Sequence, residues 1–347
     1  MGGLRAGRNA VVIAAVSAMA LAGCSSSTGS APASSENASA EAVASQVPAP
    51  ESAAPAEPYN FWFVNPLPSF QAWGKSSTLF EEAASSLGYA ATLVGPAQID
   101  IPAMVSMMEQ AAADGAQGIL TCSLDPAAFA APIKEAQDAG RVVVSIGCVD
   151  DQADYSVGTD NEEYGRVSAD LIAQGAGSDA TIAILGTAKE TPNQVAQVKG
   201  LNEQIAAKYP DMKVETWEFD DSDPAKAAEK IQAILAAYPD LDALWMIEGA
   251  GPGVAPTALA EAGKQPGDVF VLGIDDLDPT LKAVEDGWIS TTLAQCWFDA
   301  SPFAAQLMIA KLSGNGPEQK FYPVPVAPIT KAELPWKGCP ADLIPTL

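Results

Sequence analysis

Short apolar segments alternate with helical patterns along residues 59–347, and this alternation constrains the fold more than any other feature. Several apolar segments lack polar positions, which is typical of parallel strands that helices cover on both faces. Helical patterns stop at glycines, as at Gly88, Gly115 and Gly140. The predicted strands are 60–65, 91–94, 118–122, 142–147, 180–185, 213–219, 243–247, 269–274 and 290–293. The pattern therefore predicts a doubly wound α/β fold.

A weak internal repeat suggests two similar α/β units. A helix end at 135–140 precedes a strand and then Asp150, and a similar helix end at 261–263 precedes a strand that ends at Asp275. Ligands of such sheets bind beyond the carboxyl ends of the strands. The candidate residues are therefore those that follow strands: Asn65, Cys122, Asp125, Asp150, Asp160, Glu248, Asp275 and Gln295.

The segment after the first strand combines two prolines, an amide and two aromatic residues. It carries Asn65, Phe70 and Trp73 within nine residues. Aromatic rings stack on the C–H groups of a sugar, while amides both donate and accept hydrogen bonds with its hydroxyls. The segment is a candidate sugar contact; alternatively, Phe70 and Trp73 form the buried face of the following helix.

The sequence Gly-Thr-Asp-Asn at 158–161 joins the two halves of the chain. Thr159 or Asp160 is suited to cap the helix that follows, predicted over 162–173. A hinge or binding role would add to this capping role.

Two further motifs suggest a cofactor or a metal only weakly. The glycines at 249–253 follow a strand, but Val254 replaces the last glycine of a dinucleotide fingerprint and Pro252 removes an amide donor. The acidic residues at 275–278 lack the spacing of a calcium loop. We therefore predict neither a cofactor nor a metal site.

The N-terminus has the pattern of a lipoprotein export signal. Arg5 and Arg8 precede a short apolar run over 10–21, and Leu-Ala-Gly then precedes Cys24. We expect residues 1–24 to act as a signal whose Cys24 is lipidated and becomes the new N-terminus; an ordinary secretory signal is the alternative. Residues 25–58 are rich in Ser, Ala, Pro and Glu, so they are expected to form a disordered tether. The protein would then be anchored at the extracytoplasmic face of the cell membrane.

Charge and composition exclude several classes of function. The net charge is −25, and only Arg141 and Arg166 remain as arginines beyond the signal, which argues against nucleic acid or anionic lipid as a partner. The chain contains no histidine, so catalytic triads and histidine-bound zinc are excluded. A glycosidase using Asp150, Glu248 or Asp275 remains an alternative.

Four cysteines follow Cys24, and an even number favours disulfides in an oxidising compartment. Three pairings are possible. Cys122 and Cys148 end successive strands that should be neighbours, so they form the favoured pair and leave Cys296 with Cys339. Free buried thiols are the alternative.

Four motifs together resemble the ribose-type (type I) solute-binding proteins of ABC importers. They are the Asn-Pro segment with aromatics at 65–73, Gly-Thr-Asp-Asn at 158–161, Val-Leu-Gly-Ile-Asp at 271–275 and Thr-Leu-Ala-Gln at 292–295. The resemblance implies two Rossmann-like lobes with parallel sheets, joined by a three-segment hinge near Thr159, Gln295 and 323–328. The lobes would be 59–159 with 296–324, and 160–295 with 325–347. A sugar is expected in the cleft between them.

The same resemblance assigns ligand contacts to individual residues. The stacking aromatic falls on Trp73 with Phe70 beside it, and Gly147 occupies the position of the family's aspartate, which leaves Asp150 as the nearby acid. No arginine stands at 194–197, where sugar binders often have one. The expected ligand contacts are Asn65, Phe70, Trp73, Asp150, Thr159, Asp160, Gln194, Glu248, Asp275, Gln295 and Trp297.

The missing arginine and the glutamate at 248 leave several ligand classes open. A pentose or hexose, a polyol, a modified sugar, and a small cationic or furanose-like solute all fit the residues. We expect no enzymatic activity, a monomeric protein, and an ABC permease as the partner that receives the ligand. A sensor that reports its ligand to a membrane kinase is a further alternative.

Overall fold

The computed structural model describes residues 58–347, which form two six-stranded sheets with helices on both faces. Their strands are β1 (Asn60–Val64), β2 (Ala90–Val94), β3 (Gly118–Thr121), β4 (Val142–Ile146), β5 (Tyr155–Gly158), β6 (Thr181–Gly186), β7 (Lys213–Phe219), β8 (Ala243–Met246), β9 (Phe270–Ile274), β10 (Thr291–Gln295), β11 (Phe321–Pro323) and β12 (Val326–Ile329). Their α-helices are α1 (Gln71–Ser86), α2 (Ile101–Ala113), α3 (Pro126–Asp138), α4 (Asn161–Ala176), α5 (Pro192–Lys208), α6 (Pro224–Ala237), α7 (Ala250–Glu261), α8 (Asp278–Glu285) and α9 (Ser301–Leu312). The predicted signal, Cys24 and the tether up to residue 57 lie outside the described residues.

Both sheets are parallel apart from one edge strand. The first sheet has the order β11-β5-β4-β3-β1-β2 and the second has the order β12-β10-β9-β8-β6-β7. Only β12 runs antiparallel to its neighbour β10 among these described pairs. The predicted α/β class with two parallel lobes is confirmed.

All nine predicted strands are present, but the sequence pattern missed β5, β11 and β12. Unlike the equally short β3 and β8, these strands are interrupted by a serine in β5 and by prolines in β11 and β12, so none of them forms a continuous apolar run. Pro323 ends β11 and Pro328 lies within β12, and proline is tolerated there because both are edge strands.

The inner strands bury side chains on both faces. In the first sheet, Phe61 and Phe63 of β1 join one core cluster, while Trp62 and Val64 join the cluster on the opposite face. In the second sheet, Leu244 and Trp245 of β8 likewise belong to two different core clusters on opposite faces. Because both faces are apolar, polar side chains can gather only at the ends of the strands.

Asp-Pro pairs begin several of the covering helices. Asp125 precedes α3 and its Oδ1 accepts a hydrogen bond from the amide of Ala127 at 3.0 Å. Asp223 does the same for α6, with a 2.8 Å bond from the amide of Ala225. Each carboxylate satisfies an amide at a helix start, and the proline that follows has no amide to satisfy there.

The chain passes between the two sheets three times. The first passage runs from β5 to α4 through Thr159 and Asp160, and the second runs from β10 to α9 through a 3-10 helix, Cys296–Ala300. The third is the short link from β11 to β12. These are the three places that the resemblance predicts for a hinge.

The C-terminal residues, which the sequence assigns to the second lobe as 325–347, contact both lobes. Strand β12 does pair within the second sheet. Beyond it, Trp336, Leu343 and Ile344 pack against the core cluster built around β1, α1 and α9, and Cys339 is bonded to Cys296. Nε1 of Trp336 also donates a 2.8 Å hydrogen bond to Oδ2 of Asp276 in the second lobe, so the assignment of 325–347 to the second lobe stays a prediction.

Among residues 58–347, every helix is too short or too polar to cross a membrane.

Helices α4 and α5 approach each other closely at two glycines. A Cβ atom on Gly165 would overlap the carbonyl oxygen of Gln197, and one on Gly200 would overlap the carbonyl oxygen of Glu162. Since backbone atoms on both sides cannot move independently, no side chain fits at either position.

We predict that Gly165→Ala lowers the free energy of unfolding by about 2–4 kcal/mol, because the two helices must separate to admit a methyl group. Gly253→Ala is the matched control, since Gly253 lies on the exposed side of α7 and its new Cβ would meet only the Pro279 side chain at 3.3 Å. The control should be neutral or slightly stabilising. Urea unfolding followed by circular dichroism measures both variants, and equal effects would contradict the packing argument.

Candidate ligand-binding cleft

The two lobes meet across the carboxyl ends of their sheets. The position that a Cβ atom would take on Gly249 lies 4.0 Å from Cζ of Phe70 and 3.8 Å from Oδ2 of Asp275. Phe70 belongs to the first lobe, whereas Gly249 and Asp275 follow strands of the second. Nearby, Nε2 of Gln71 donates a 3.0 Å hydrogen bond to Oδ1 of Asp278 across the same boundary. The structure is therefore a closed arrangement of the lobes.

Aromatic side chains line the first-lobe side of this cleft. The rings of Trp73 and Trp297 lie 4.9 Å apart, and Phe298 stacks on Trp297 at 3.7 Å. Phe63 contacts Trp73 from the core, with ring centroids 6.3 Å apart. Trp73 and Phe70 are partly buried in this cluster, which agrees with the helix-packing alternative, and their contact with a ligand stays a prediction.

Trp297 fills the space that an aspartate at position 147 would need. A Cβ atom on Gly147 would lie 2.5–2.8 Å from three carbons of the Trp297 ring. Gly147 also has a φ of +76°, a conformation that suits glycine. Gly147 and Trp297 are thus complementary, and an aromatic face stands where the resemblance places a carboxylate.

Asn65 and Gln194 hold loops in place through internal hydrogen bonds. Nδ2 of Asn65 donates to the carbonyl of Trp73 at 2.9 Å and to Oγ of Ser77 at 2.7 Å. Gln194 accepts from the amide of Thr187 at 2.9 Å and donates to the carbonyl of Ile247 at 3.1 Å. These bonds position the segments that follow β1, β6 and β8; direct ligand contact by either amide stays a prediction.

Asp275, Gln295 and Trp297 form a hydrogen-bonded chain from the second lobe to the first. Nε2 of Gln295 donates to Oδ1 of Asp275 at 2.8 Å, and Nε1 of Trp297 donates to Oε1 of Gln295 at 3.3 Å. Asp275 has a left-handed φ of +64°, which turns its side chain at the end of β9. Burial raises the pKa of Asp275 to about 6, although the bond from Gln295 opposes this shift.

Glu248 shares the adjacent part of the second lobe with Asp220, which sequence reasoning missed. Glu248 accepts hydrogen bonds from the amides of Ala250 and Gly251, both at 2.5 Å. Burial and the neighbouring Asp220 carboxyl raise the pKa of Glu248 to about 8, and burial also raises the pKa of Asp220. Asp220 follows strand β7. The rule that ligands bind beyond the carboxyl ends of the strands, which identified Glu248, could therefore have identified Asp220 as well.

Polar groups at the hinge are buried, and some lack partners among the described residues. These atoms are Oγ1 of Thr159 and the hydroxyl of Tyr164; Oδ2 of Asp150, in the loop between β4 and β5, is a further buried atom of this kind. Asp160, in contrast, is exposed, and its Oδ1 accepts a 3.0 Å hydrogen bond from the amide of Glu163 as a cap of α4. Thr159 and Tyr164 also line a cavity of about 390 Å³ beside β11 and β12. The hinge thus offers hydroxyls that sequence reasoning found only at Thr159.

Two disulfides flank the cleft. The structure joins Cys122 to Cys148, with Cα atoms 5.1 Å apart, and Cys296 to Cys339, with Cα atoms 5.5 Å apart. The first ties the loop after β4, which carries Gly147, to the end of β3. The second ties the C-terminal tail to the 3-10 helix that carries Trp297.

The charge of the described cleft is negative. Lys75 lies at its rim and pairs with Asp299 at 2.7 Å and Asp276 at 3.7 Å. In the part of the chain that the structure describes, no three His, Cys, Asp or Glu side chains converge as metal ligands would. The arrangement therefore offers aromatic faces from one lobe and carboxyl and amide groups from the other.

Two parallel α/β lobes that close on an aromatic and carboxylate cleft define a two-lobed binding protein of type I. A family model described as "periplasmic binding protein domain" matches residues 61–316. The chain belongs to that family, which confirms the resemblance that its motifs predict.

Curated relatives and a solved structure agree with this membership. The chain is 24% identical over 252 residues to the D-ribose/D-allose-binding protein of Pseudomonas aeruginosa, covering 69% of this chain and 76% of that protein. It is 28% identical over 176 residues to the ribose import binding protein RbsB of Salmonella typhimurium, covering 50% of this chain and 57% of that one. The crystal structure of GanP, a glucose-galactose binding protein from Geobacillus stearothermophilus, matches with a TM-score of 0.73 at 24% identity, over 80% of this chain and 99% of that one. This last likeness shows that the fold is shared.

The raised pKa of Glu248 predicts a stability that decreases with pH. Between its ordinary pKa of 4.5 and about 8, the folded state keeps a proton that the unfolded state has released, so stability falls as pH rises through this window. Glu248→Gln removes the titration. We expect the variant to gain on the order of 3 kcal/mol relative to the original protein between about pH 5 and about pH 8.

Urea unfolding at the two pH values measures this gain. Glu229→Gln, an exposed position on α6, is the control and should show the same pH dependence as the unchanged protein. A constant difference between Glu248→Gln and the unchanged protein would contradict the assignment.

Proposed function

We propose that the protein captures a sugar or sugar-like solute between its lobes and delivers it to the permease of an ABC importer. The observation that carries this proposal is the cleft at the carboxyl ends of both sheets, where Phe70, Trp73 and Trp297 face Asp275 and Gln295. Aromatic faces and planar polar groups are the two kinds of contact that a sugar ring needs. Relatives named for ribose, allose, glucose and galactose binding support the same class of ligand.

The proposed mechanism is closure driven by differential affinity. A ligand held by groups of both lobes binds the closed state better than the open state, so binding shifts the population toward closure. Contacts such as Gln71–Asp278 form only when the lobes approach. The closed protein then presents a surface from both lobes to the permease, and no covalent bond changes.

The anchor completes the proposal. A lipidated Cys24 with acyl chains, followed by the tether 25–58, would keep a monomeric binding protein beside its permease on the extracytoplasmic face. The lobes would be 59–159 with 296–324, and 160–295 with 325–347. An extracytoplasmic location is what membership of a periplasmic binding protein family supports.

The ligand prediction is tested by calorimetry with D-ribose, D-allose, D-glucose, D-galactose and matched polyols. We expect at least one to bind, and we expect Asp275→Asn to weaken that binding by about 10- to 100-fold, because a buried hydrogen bond to a charged group is lost. Asp211→Asn, an exposed position before β7, should bind normally. Failure of every sugar, polyol and sugar derivative to bind would refute the proposed ligand class.

The anchor is tested by Cys24→Ala in cells that express the full chain. Without the thiol no lipid can be attached, so we expect the protein to move from the membrane fraction to the soluble fraction. Cys122→Ala serves as a control for loss of any cysteine and should remain with the membrane. If Cys24→Ala stays in the membrane fraction, Cys24 is not the anchor.

A further inference from the structure

Four buried carboxyl groups lie in loops that follow strands, three in the second lobe and Asp150 in the first lobe, without a matching basic side chain. Their exposed fractions are 4% for Asp150, 0% for Asp220, 4% for Glu248 and 5% for Asp275. Within residues 58–347, none of them forms a salt bridge with Lys or Arg. A buried carboxylate is costly unless a proton or a cation balances it.

The basic residues closest along the chain are engaged elsewhere or exposed. Lys226 pairs with Asp221 at 2.8 Å, and Lys230 pairs with Glu218 at 2.8 Å. Lys189, on the loop after β6, has an exposed side chain. The protein thus keeps its own cations away from the buried carboxyls.

Backbone amides donate hydrogen bonds to both Asp220 and Glu248. Oδ1 of Asp220 accepts a 2.8 Å hydrogen bond from the amide of Ser222, and both oxygens of Glu248 accept from the amides at the start of α7. These donors favour the ionised form of each group. The two carboxyls nevertheless contact each other. Burial raises the pKa of both, and Asp220 raises the pKa of Glu248 further, whereas the hydrogen bond with Glu248 lowers the pKa of Asp220.

A second, independent observation is the presence of buried acceptor atoms without a donor. Oδ2 of Asp220 has no hydrogen-bond partner among the described residues, and Oδ2 of Asp150 has none either. Native proteins rarely leave such atoms unpaired, so the Asp220 oxygen requires a donor: either the proton that Glu248 holds or a bound group that replaces that proton. A protonated amine supplies up to three donors together with the missing positive charge.

The aromatic wall opposite is compatible with such a ligand. Phe70, from the first lobe, approaches the same point beside Gly249 as Oδ2 of Asp275. A cation near an aromatic face is further stabilised by the ring quadrupole, and the carbon side of a sugar ring packs on the same surface. A neutral sugar would use the wall but would leave the proton that Glu248 shares with Asp220 in place, so it would gain no affinity from the pair.

From this geometry we infer that the solute is a sugar or polyol that carries a protonated amine, which Glu248 and Asp220 bind while its ring packs on the aromatic wall. The inference rests on the proposed function and narrows its ligand class.

Paired probes of identical stereochemistry test the inference. D-glucosamine, D-galactosamine, D-mannosamine and 1-amino-1-deoxy-D-sorbitol are compared with D-glucose, D-galactose, D-mannose and D-sorbitol by calorimetry at neutral pH. We expect one amino member to bind about 30-fold or more tightly than its neutral partner, the size expected for a charge-assisted hydrogen bond. Its N-acetyl derivative, where one exists, should bind like the neutral sugar because the charge is gone.

Glu248→Gln then tests the assigned carboxyls with the same probes. The preference for the amino member should fall to within about threefold, while Glu229→Gln should keep it. The variant removes a carboxyl that destabilises the fold near neutral pH, so it is expected to fold.

The outcomes separate the two proposals. A neutral sugar or polyol that binds as tightly as its amino partner overturns the inference and leaves the proposed function standing. An amine preference that survives Glu248→Gln overturns the assignment to this pair. Failure of all eight paired probes to bind overturns the inference, and failure of the earlier sugar panel as well overturns the proposed function.

Discussion

The burial of both faces of both sheets is the constraint on which the rest of the molecule depends. Because alternate residues of strands such as β1 enter opposite core clusters, neither face can carry polar chemistry. Hydrogen-bonding side chains are therefore concentrated in the loops beyond the strands. Asp220, Glu248, Asp275 and Gln295 all occupy such positions in the second sheet. The first lobe brings Phe70 and Trp73 to the cleft, so in the proposed mode of binding the two lobes would supply different kinds of contact.

Trp297 connects the cleft to the hinge. It lies in the 3-10 helix that carries the chain from the second sheet back to the first, and its ring rests on Gly147. Its Nε1 extends the hydrogen bonds of Gln295 and Asp275, while Cys296 ties the same turn to the C-terminal tail. A movement of this crossing would therefore displace an aromatic wall and a chain of polar contacts together. In the proposed mode of binding, the hinge and the binding surface therefore share these residues.

The sequence was sufficient to predict the fold because strand and helix periodicities are local, and it also identified the strand ends as the place for the site. It could not reveal how individual side chains are used. Asn65 and Gln194 look like ligand amides, but their hydrogen bonds go to groups that folding brings close. Asp220 was missed because its neighbours read as a solvated acidic loop. Its contact with Glu248 joins the ends of β7 and β8, which the intervening strand β6 separates in the sheet.

The acidic pair at Asp220 and Glu248 makes the apo protein less stable than it could be near neutral pH, since a proton must be held against its normal tendency to leave. A ligand that brings a positive charge to the pair would remove this electrostatic destabilisation. When a cationic ligand replaces the shared proton, the unfavourable free energy of holding that proton is removed. The closed state therefore binds the cationic ligand more tightly. A neutral ligand would gain nothing from this source, since it would leave the shared proton in place. Buried acids without basic partners thus lower the stability of the fold, and in return they favour a cationic solute over a neutral solute of similar shape.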